Sequence, residues 1–151
     1  EENYQNSNLS LETLCDHLHM STAYFSTVFK KEEGESYISY LTGVRMKKAA
    51  ELLETTDEKT YVIAAKVGYD EPNYFSYVFK KHFGVGIAQY LNTIRIQNAC
   101  TMMEQGFSSV GDIAFRCGYS DAQYFSKVFK RRMSISPREY MASVKTEAAS
   151  K

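Results

Sequence analysis

The sequence predicts an all-α fold, and three observations carry that expectation. Only two of the 151 residues are proline, and Leu, Ala, Glu, Lys and Met, which all favour helix, recur along the chain. No run alternates polar and apolar residues as a half-buried strand would. A word is also repeated at intervals of fifty residues: Tyr24-Phe25-Ser26-Thr27-Val28-Phe29-Lys30-Lys31, then Tyr74-Phe75-Ser76-Tyr77-Val78-Phe79-Lys80-Lys81, then Tyr124-Phe125-Ser126-Lys127-Val128-Phe129-Lys130-Arg131. With 44% hydrophobic and 14% aromatic residues, the chain has enough apolar surface to fold as one ordinary domain or a few small ones.

Each copy of the word has the three- and four-residue spacing of a helix, which puts Phe25, Val28 and Phe29 on one apolar face and sends Ser26, Thr27 and Lys30 elsewhere. Ahead of each word lies a shorter amphipathic pattern: Leu11, Leu14, Cys15 and Leu18, then Val62, Ile63 and Val67, then Ile113, Ala114 and Cys117. Between the two patterns sits a breaker, Gly68-Tyr69-Asp70 or Gly118-Tyr119-Ser120, where glycine suits the left-handed backbone of a sharp turn. The first copy has Leu18-His19-Met20 and a turn one residue shorter, with Ser21 placed to cap the next helix.

After the first word, Tyr40, Leu41, Val44, Ala49, Leu52 and Leu53 mark a longer amphipathic helix, entered near Ser36 and stopped before Thr55-Thr56-Asp57. At about 18 residues it would span about 27 Å. Its counterpart runs from about Gly86 to Gln105, with Gly106 as a stop. Short helix, tight turn and second helix with a polar exposed start make a helix-turn-helix. The same periodicity also suits a helical repeat array used as a protein-interaction scaffold.

Charge does not separate these readings, because 18 basic and 18 acidic residues give a net charge of zero, whereas nucleic-acid binders are commonly basic. The distribution is uneven: residues 1–50 hold five basic against seven acidic groups, residues 51–100 five against six, and residues 101–151 eight against five. No stretch reaches the roughly 18 apolar residues of a spanning helix, and no basic-then-apolar leader opens the chain, so a cytoplasmic protein without membrane contact is expected. Cys15, Cys100 and Cys117 read as reduced core thiols. Cys15, His17 and His19 cannot converge on a metal, since Cys15 and His17 lie about 200° apart around a helix. No nucleophile elbow, phosphate loop, zinc-protease motif or catalytic carboxylate pair is present, and the clustered tyrosines suit core and interface use. No enzyme, metal or cofactor is expected.

The words themselves favour the first reading. Gly68-Tyr69, then Tyr74-Phe75, Val78-Phe79-Lys80-Lys81 and Phe83-Gly84 resemble the second helix-turn-helix of the AraC/XylS family. Leu11 through Gly34 resembles the first, and Tyr40-Leu41 through Arg45 to Leu52-Leu53 resembles the helix joining them. Ser134-Ile135-Ser136-Pro137-Arg138-Glu139-Tyr140 is similar to the family's usual ending. The resemblance implies tandem helix-turn-helix units, homeodomain-like and three-helical, joined by long linker helices. The expected division is a first unit over residues 8–35, a linker helix over 36–56, a second unit over 57–84, a second linker helix over 85–106, and a third unit with a C-terminal helix over 107–145. A third unit departs from the family pattern, and a join of two relatives at the shared Phe-Lys-Lys-x-Phe-Gly segment, engineered or recombined, is preferred here to natural duplication.

The resemblance further implies sequence-specific binding of double-stranded DNA, as the DNA-binding part of a transcription regulator without its sensor domain. RNA polymerase would be a further partner of a full-length regulator, and this fragment is expected to be a monomer. Carried onto this sequence, the base-reading positions are Thr22, Ala23, Ser26 and Thr27, then Pro72, Asn73, Ser76 and Tyr77, then Ala122, Gln123, Ser126 and Lys127. Asn and Gln can pair with adenine and Lys with guanine, so the third copy should read best and the first least. Lys30, Lys31, Lys80, Lys81, Lys130, Arg131 and Arg132 are the expected phosphate contacts, although cations at helix ends also simply complement the helix dipole. Arg45 and Arg95, inside the joining helices, are expected to form structural salt bridges.

Overall fold

The computed structural model describes residues 3–149, and among these every regular element is a helix. In chain order they are α1 (Leu11–Leu18), α2 (Thr22–Glu33), α3 (Tyr37–Thr55), α4 (Thr60–Lys66), α5 (Pro72–Phe83), α6 (Ile87–Glu104), α7 (Val110–Arg116), α8 (Ala122–Met133) and α9 (Pro137–Ala149). The all-α expectation holds. The chain divides into two compact units, Glu1–Ile87 and Ala88–Lys151.

Capping chemistry sets the helix starts. Ser10, Ser21, Ser36, Ser109 and Asp121 each accept a hydrogen bond from a backbone N–H in the first turn of the helix that follows, filling donors a helix cannot satisfy internally. At α5, Glu71 makes no side-chain cap bond, and Pro72 opens the helix with its φ already set for the first turn.

The turn between short and long helix is built alike in the three repeats. The N–H of Tyr69 reaches back to Ala64 O at 2.9 Å, that of Tyr119 to Ala114 O at 2.9 Å, and that of Met20 to Cys15 O at 3.0 Å. This closure puts the preceding residue in the left-handed region. Gly68 at φ 86° and Gly118 at φ 81° adopt it without a side-chain clash, whereas the first repeat forces His19 there at φ 52°. His19 is thus a turn residue. The turn in the first repeat is one residue shorter, as its spacing predicts.

In the first unit the core lies where α3, α4 and α5 meet. Met46, Ala49 and Leu53 of α3 close with Ile63, Ala64 and Val67 on Phe75 and Phe79, all buried. Ile96, Ala99 and Met103 of α6 repeat this in the second unit against Ile113, Ala114, Phe125 and Phe129. Each buried phenylalanine contributes about 1.5–3 kcal/mol.

The first repeat departs from the expected core face: Phe25 and Phe29 are only half-buried, Val28 is 38% exposed and Leu18 45% exposed. Nothing among the described residues stands to α1 and α2 as α3 stands to α4 and α5. The two rings pack instead on each other and on the first turn of α3, with Phe29 edge-on to Tyr37 and Tyr40 at 5.6 Å.

Arg45 is structural, but not through the expected salt bridge. Its Nε donates to Tyr4 O at 2.9 Å, a terminal nitrogen donates to Asn6 O at 2.8 Å, and the guanidinium lies 5.4 Å from the Tyr69 ring centroid. It fastens the segment before α1 onto the joining helix and onto the second repeat's turn. Arg95 lies over Tyr119 in the same way at 5.6 Å, and Tyr119 also donates to Asn92 Oδ1 at 3.1 Å. For Arg45 two carbonyls and a ring take the place of a carboxylate, and for Arg95 a ring does.

Candidate nucleic-acid interface

In α5 and α8 the phenylalanine pair faces inward, so helical geometry decides which residues face out. On α8, Gln123, Ser126 and Lys130 stand three, four and seven positions apart, as do Gln123, Lys127 and Lys130, which groups the four on one side, away from Phe125 and Phe129. Asn73, Ser76, Tyr77 and Lys80 repeat the arrangement on α5, and Ala23, Ser26, Thr27 and Lys30 on α2. Thr22, Ala23, Thr27, Pro72, Asn73, Ser76, Tyr77, Ala122, Gln123 and Lys127 are exposed, with Ser26 and Ser126 half-buried.

Three hydroxyls on these faces have already committed their protons. Thr27 donates to Ala23 O at 2.9 Å, Ser76 to Pro72 O at 2.9 Å and Ser126 to Ala122 O at 2.8 Å. Each can still accept, so toward a base edge it suits the amino groups of adenine or cytosine rather than a carbonyl. Asn73 and Gln123 keep both amide functions for an outside partner.

Electrostatics differ between the repeats at the start of the second helix. Asp121 accepts from the N–H of Gln123 at 2.6 Å and of Tyr124 at 3.0 Å. These bonds hold its carboxyl below the usual range, so it stays charged at neutral pH. Ser21 caps α2 without charge, accepting from the Tyr24 N–H at 3.3 Å.

The expected phosphate contacts Lys30, Lys31, Lys80, Lys81, Lys130, Arg131 and Arg132 are all exposed and lie in the last turns of α2, α5 and α8. They do not share one side. Lys30, Lys80 and Lys130 extend the outward faces, while Arg131 and Arg132 line a groove against α6 with Tyr124, Asn92 and Thr93.

Two features escaped the sequence reading. Tyr24, Tyr74 and Tyr124 open the repeated word and are 61%, 59% and 55% exposed, so they are not core residues, whereas Tyr69 and Tyr119 are buried. Tyr74 also stacks on Tyr77, with centroids 6.3 Å apart. The signal was available in the spacing, because the residue just before the first phenylalanine of each word is turned about 100° off the core face. Arg138, at the start of α9, borders the outward face of α8 beside Gln123 and Ser126.

The comparisons with known proteins follow this geometry. The family model described as "Helix-turn-helix domain" matches twice, over residues 14–92 and 75–143. The chain belongs to this family, the AraC/XylS type. The two AraC-type matches overlap across α5 and the start of α6, so the middle repeat closes one match and opens the next. A transcriptional regulator with an AraC-type DNA-binding domain from Chromobacterium violaceum superposes with a TM-score of 0.63 at 25% identity, covering 68% of this chain and 94% of that one. The DNA-binding domain of AdpA, solved in complex with a target DNA, superposes with a TM-score of 0.59 at 25% identity, covering 70% and 94%. The uncharacterized HTH-type transcriptional regulator YfiF of Bacillus subtilis is 34% identical over 61 residues. That match takes in 40% of this chain but only 19% of the relative's length.

Proposed function

We propose that this chain binds double-stranded DNA in a sequence-dependent manner, as the DNA-binding part of a transcription regulator, by laying the outward faces of its second helices in the major groove. The observation that carries the reading is the segregation on α5 and α8: buried phenylalanines on one side, and on the other an exposed row of side chains with hydrogen-bonding capacity left for a partner. Gln123 and Asn73 suit adenine, and Lys127 suits guanine. Thr22, Ala23, Ser26 and Thr27 supply mainly methyl and acceptor contacts.

Within the first unit, α3 is 19 residues long, about 28 Å, comparable with the roughly 34 Å helical repeat of DNA. Two reading helices on one chain remove the need for a dimer, so the fragment acts as a monomer. Lys30, Lys31, Lys80, Lys81, Lys130, Arg131 and Arg132 serve the flanking phosphates, the last two from the groove against α6. The setting is cytoplasmic, RNA polymerase is a further partner of the full-length regulator, and the chain catalyses nothing.

Duplex binding at two salt concentrations tests this. With about six phosphate contacts, affinity should fall roughly 10³-fold between 50 and 200 mM salt. No binding to any duplex at 50 mM would overturn the reading and leave the helical scaffold.

A further inference from the structure

We infer that the groove between α8 and α9 in the third repeat holds the DNA sugar–phosphate strand, with Arg138 as its cation; this rests on the DNA-binding reading above. The groove is bordered by Gly111 of α7, by Ala122, Gln123 and Ser126 of α8, and by Pro137 and Arg138 of α9. Gln123 and Ser126 belong to the reading face, so the groove opens directly beside it. An α-helix about 10–12 Å across fills a major groove of about 12 Å, so the phosphates of the walls run along its flanks. A strand whose bases meet Gln123 therefore passes Arg138.

The repeats make the groove specific to the third unit. Fifty residues earlier, Tyr61 and Ala88 stand where Gly111 and Arg138 stand; in the first repeat the positions are Glu12 and Ile38. Only the third repeat combines a missing side chain with a cation. Gly111 is not required by the backbone or by packing: its φ is not in the left-handed region, and an added Cβ would meet nothing within 4 Å. What glycine provides at that position is open space.

Local charge leaves Arg138 available. Neighbouring Glu139 turns back on its own helix, accepting from the Ser136 N–H at 2.6 Å, and these bonds hold its carboxyl below the usual range. Among the described residues, no carboxylate lies within ion-pair distance of Arg138. The guanidinium is exposed and suited to bidentate phosphate contact.

The test uses the intact chain with two probes: a duplex enriched from a random pool by the wild-type chain, and a random-sequence duplex. Arg138→Gln should weaken binding to both by about 3–10-fold at 100 mM salt and lower the slope of log affinity against log salt by about one, leaving their ratio unchanged. Arg138→Lys should recover the slope. Gly111→Tyr, which restores the ring of the second repeat, should reproduce the loss by filling the groove. Unchanged affinity and slope for Arg138→Gln, or an altered ratio between the probes, overturns the inference while DNA binding itself stands. Failure of the wild type to bind any duplex overturns both.

Discussion

At the scale of single residues, backbone conformation ties the turns to the rest of the fold. A methyl group on Gly68 would stand 2.8 Å from Tyr4 O and 2.9 Å from a terminal nitrogen of Arg45, at a φ of 86°. Gly68→Ala therefore carries left-handed strain and also dislodges the guanidinium that fastens residues 4–6. It should destabilise the first unit by about 2–4 kcal/mol, read as a lower urea midpoint. Ser134 is the opposite case. It ends α8 at φ 66°, where Gly34 and Gly84 end α2 and α5. Ser134→Gly should relieve strain with little else at stake and raise stability by about 0.5–1 kcal/mol, the unfolded chain's greater freedom offsetting part of the gain. A lower midpoint for this variant would contradict the strain argument. Gly68 was legible in the sequence as a turn; its closeness to Arg45 and Tyr4 was not, because that contact joins segments far apart in the sequence.

At the scale of helices, one word has been given three environments. Phe79 and Phe129 are fully buried, while Phe29 is half-buried on a helix with no buried residue. Phe79→Ala and Phe129→Ala should each cost about 3–5 kcal/mol, and Phe29→Ala about 1–2, since a half-exposed site collapses more readily and buries less. Backbone amides of α2 should also exchange with solvent faster than those of α5. Equal costs at the three positions would show that α2 is held as firmly as its counterparts. The word Tyr-Phe-Ser-x-Val-Phe-Lys predicted each helix, and its buried face in α5 and α8 but not in α2. Burial depends on what lies across from that face, which the repeated word does not encode. The same limit explains Arg45 and Arg95: an arginine among apolar residues signals a buried partner, but whether that partner is carboxylate, carbonyl or ring depends on the turn packed against it.

At the scale of the whole chain, neutral net charge is compatible with DNA binding because charge and reading chemistry are concentrated together. Residues 101–151 carry eight basic against five acidic groups, and the same stretch brings Gln123, Lys127 and Lys130 onto one exposed face. Much of that face was legible in the sequence, from helical spacing together with the family resemblance. The neighbouring Arg138 was not, because it stands on the following helix. On α2 the corresponding face offers Ala23, Ser26, Thr27 and Lys30, and the Thr27 hydroxyl proton is already spent on Ala23 O. On the proposed reading, Gln123→Ala with Lys127→Ala removes two groups able to distinguish bases in the major groove, each worth about 1–3 kcal/mol of discrimination. Ser26→Ala with Thr27→Ala removes one half-buried hydroxyl and one already bonded. The first pair should therefore flatten the preference between an enriched and a random duplex by at least tenfold, while the second changes it by less than about threefold, both read by competition at fixed salt. The opposite order would mean that the first repeat, despite its looser packing and sparser chemistry, sets the sequence preference.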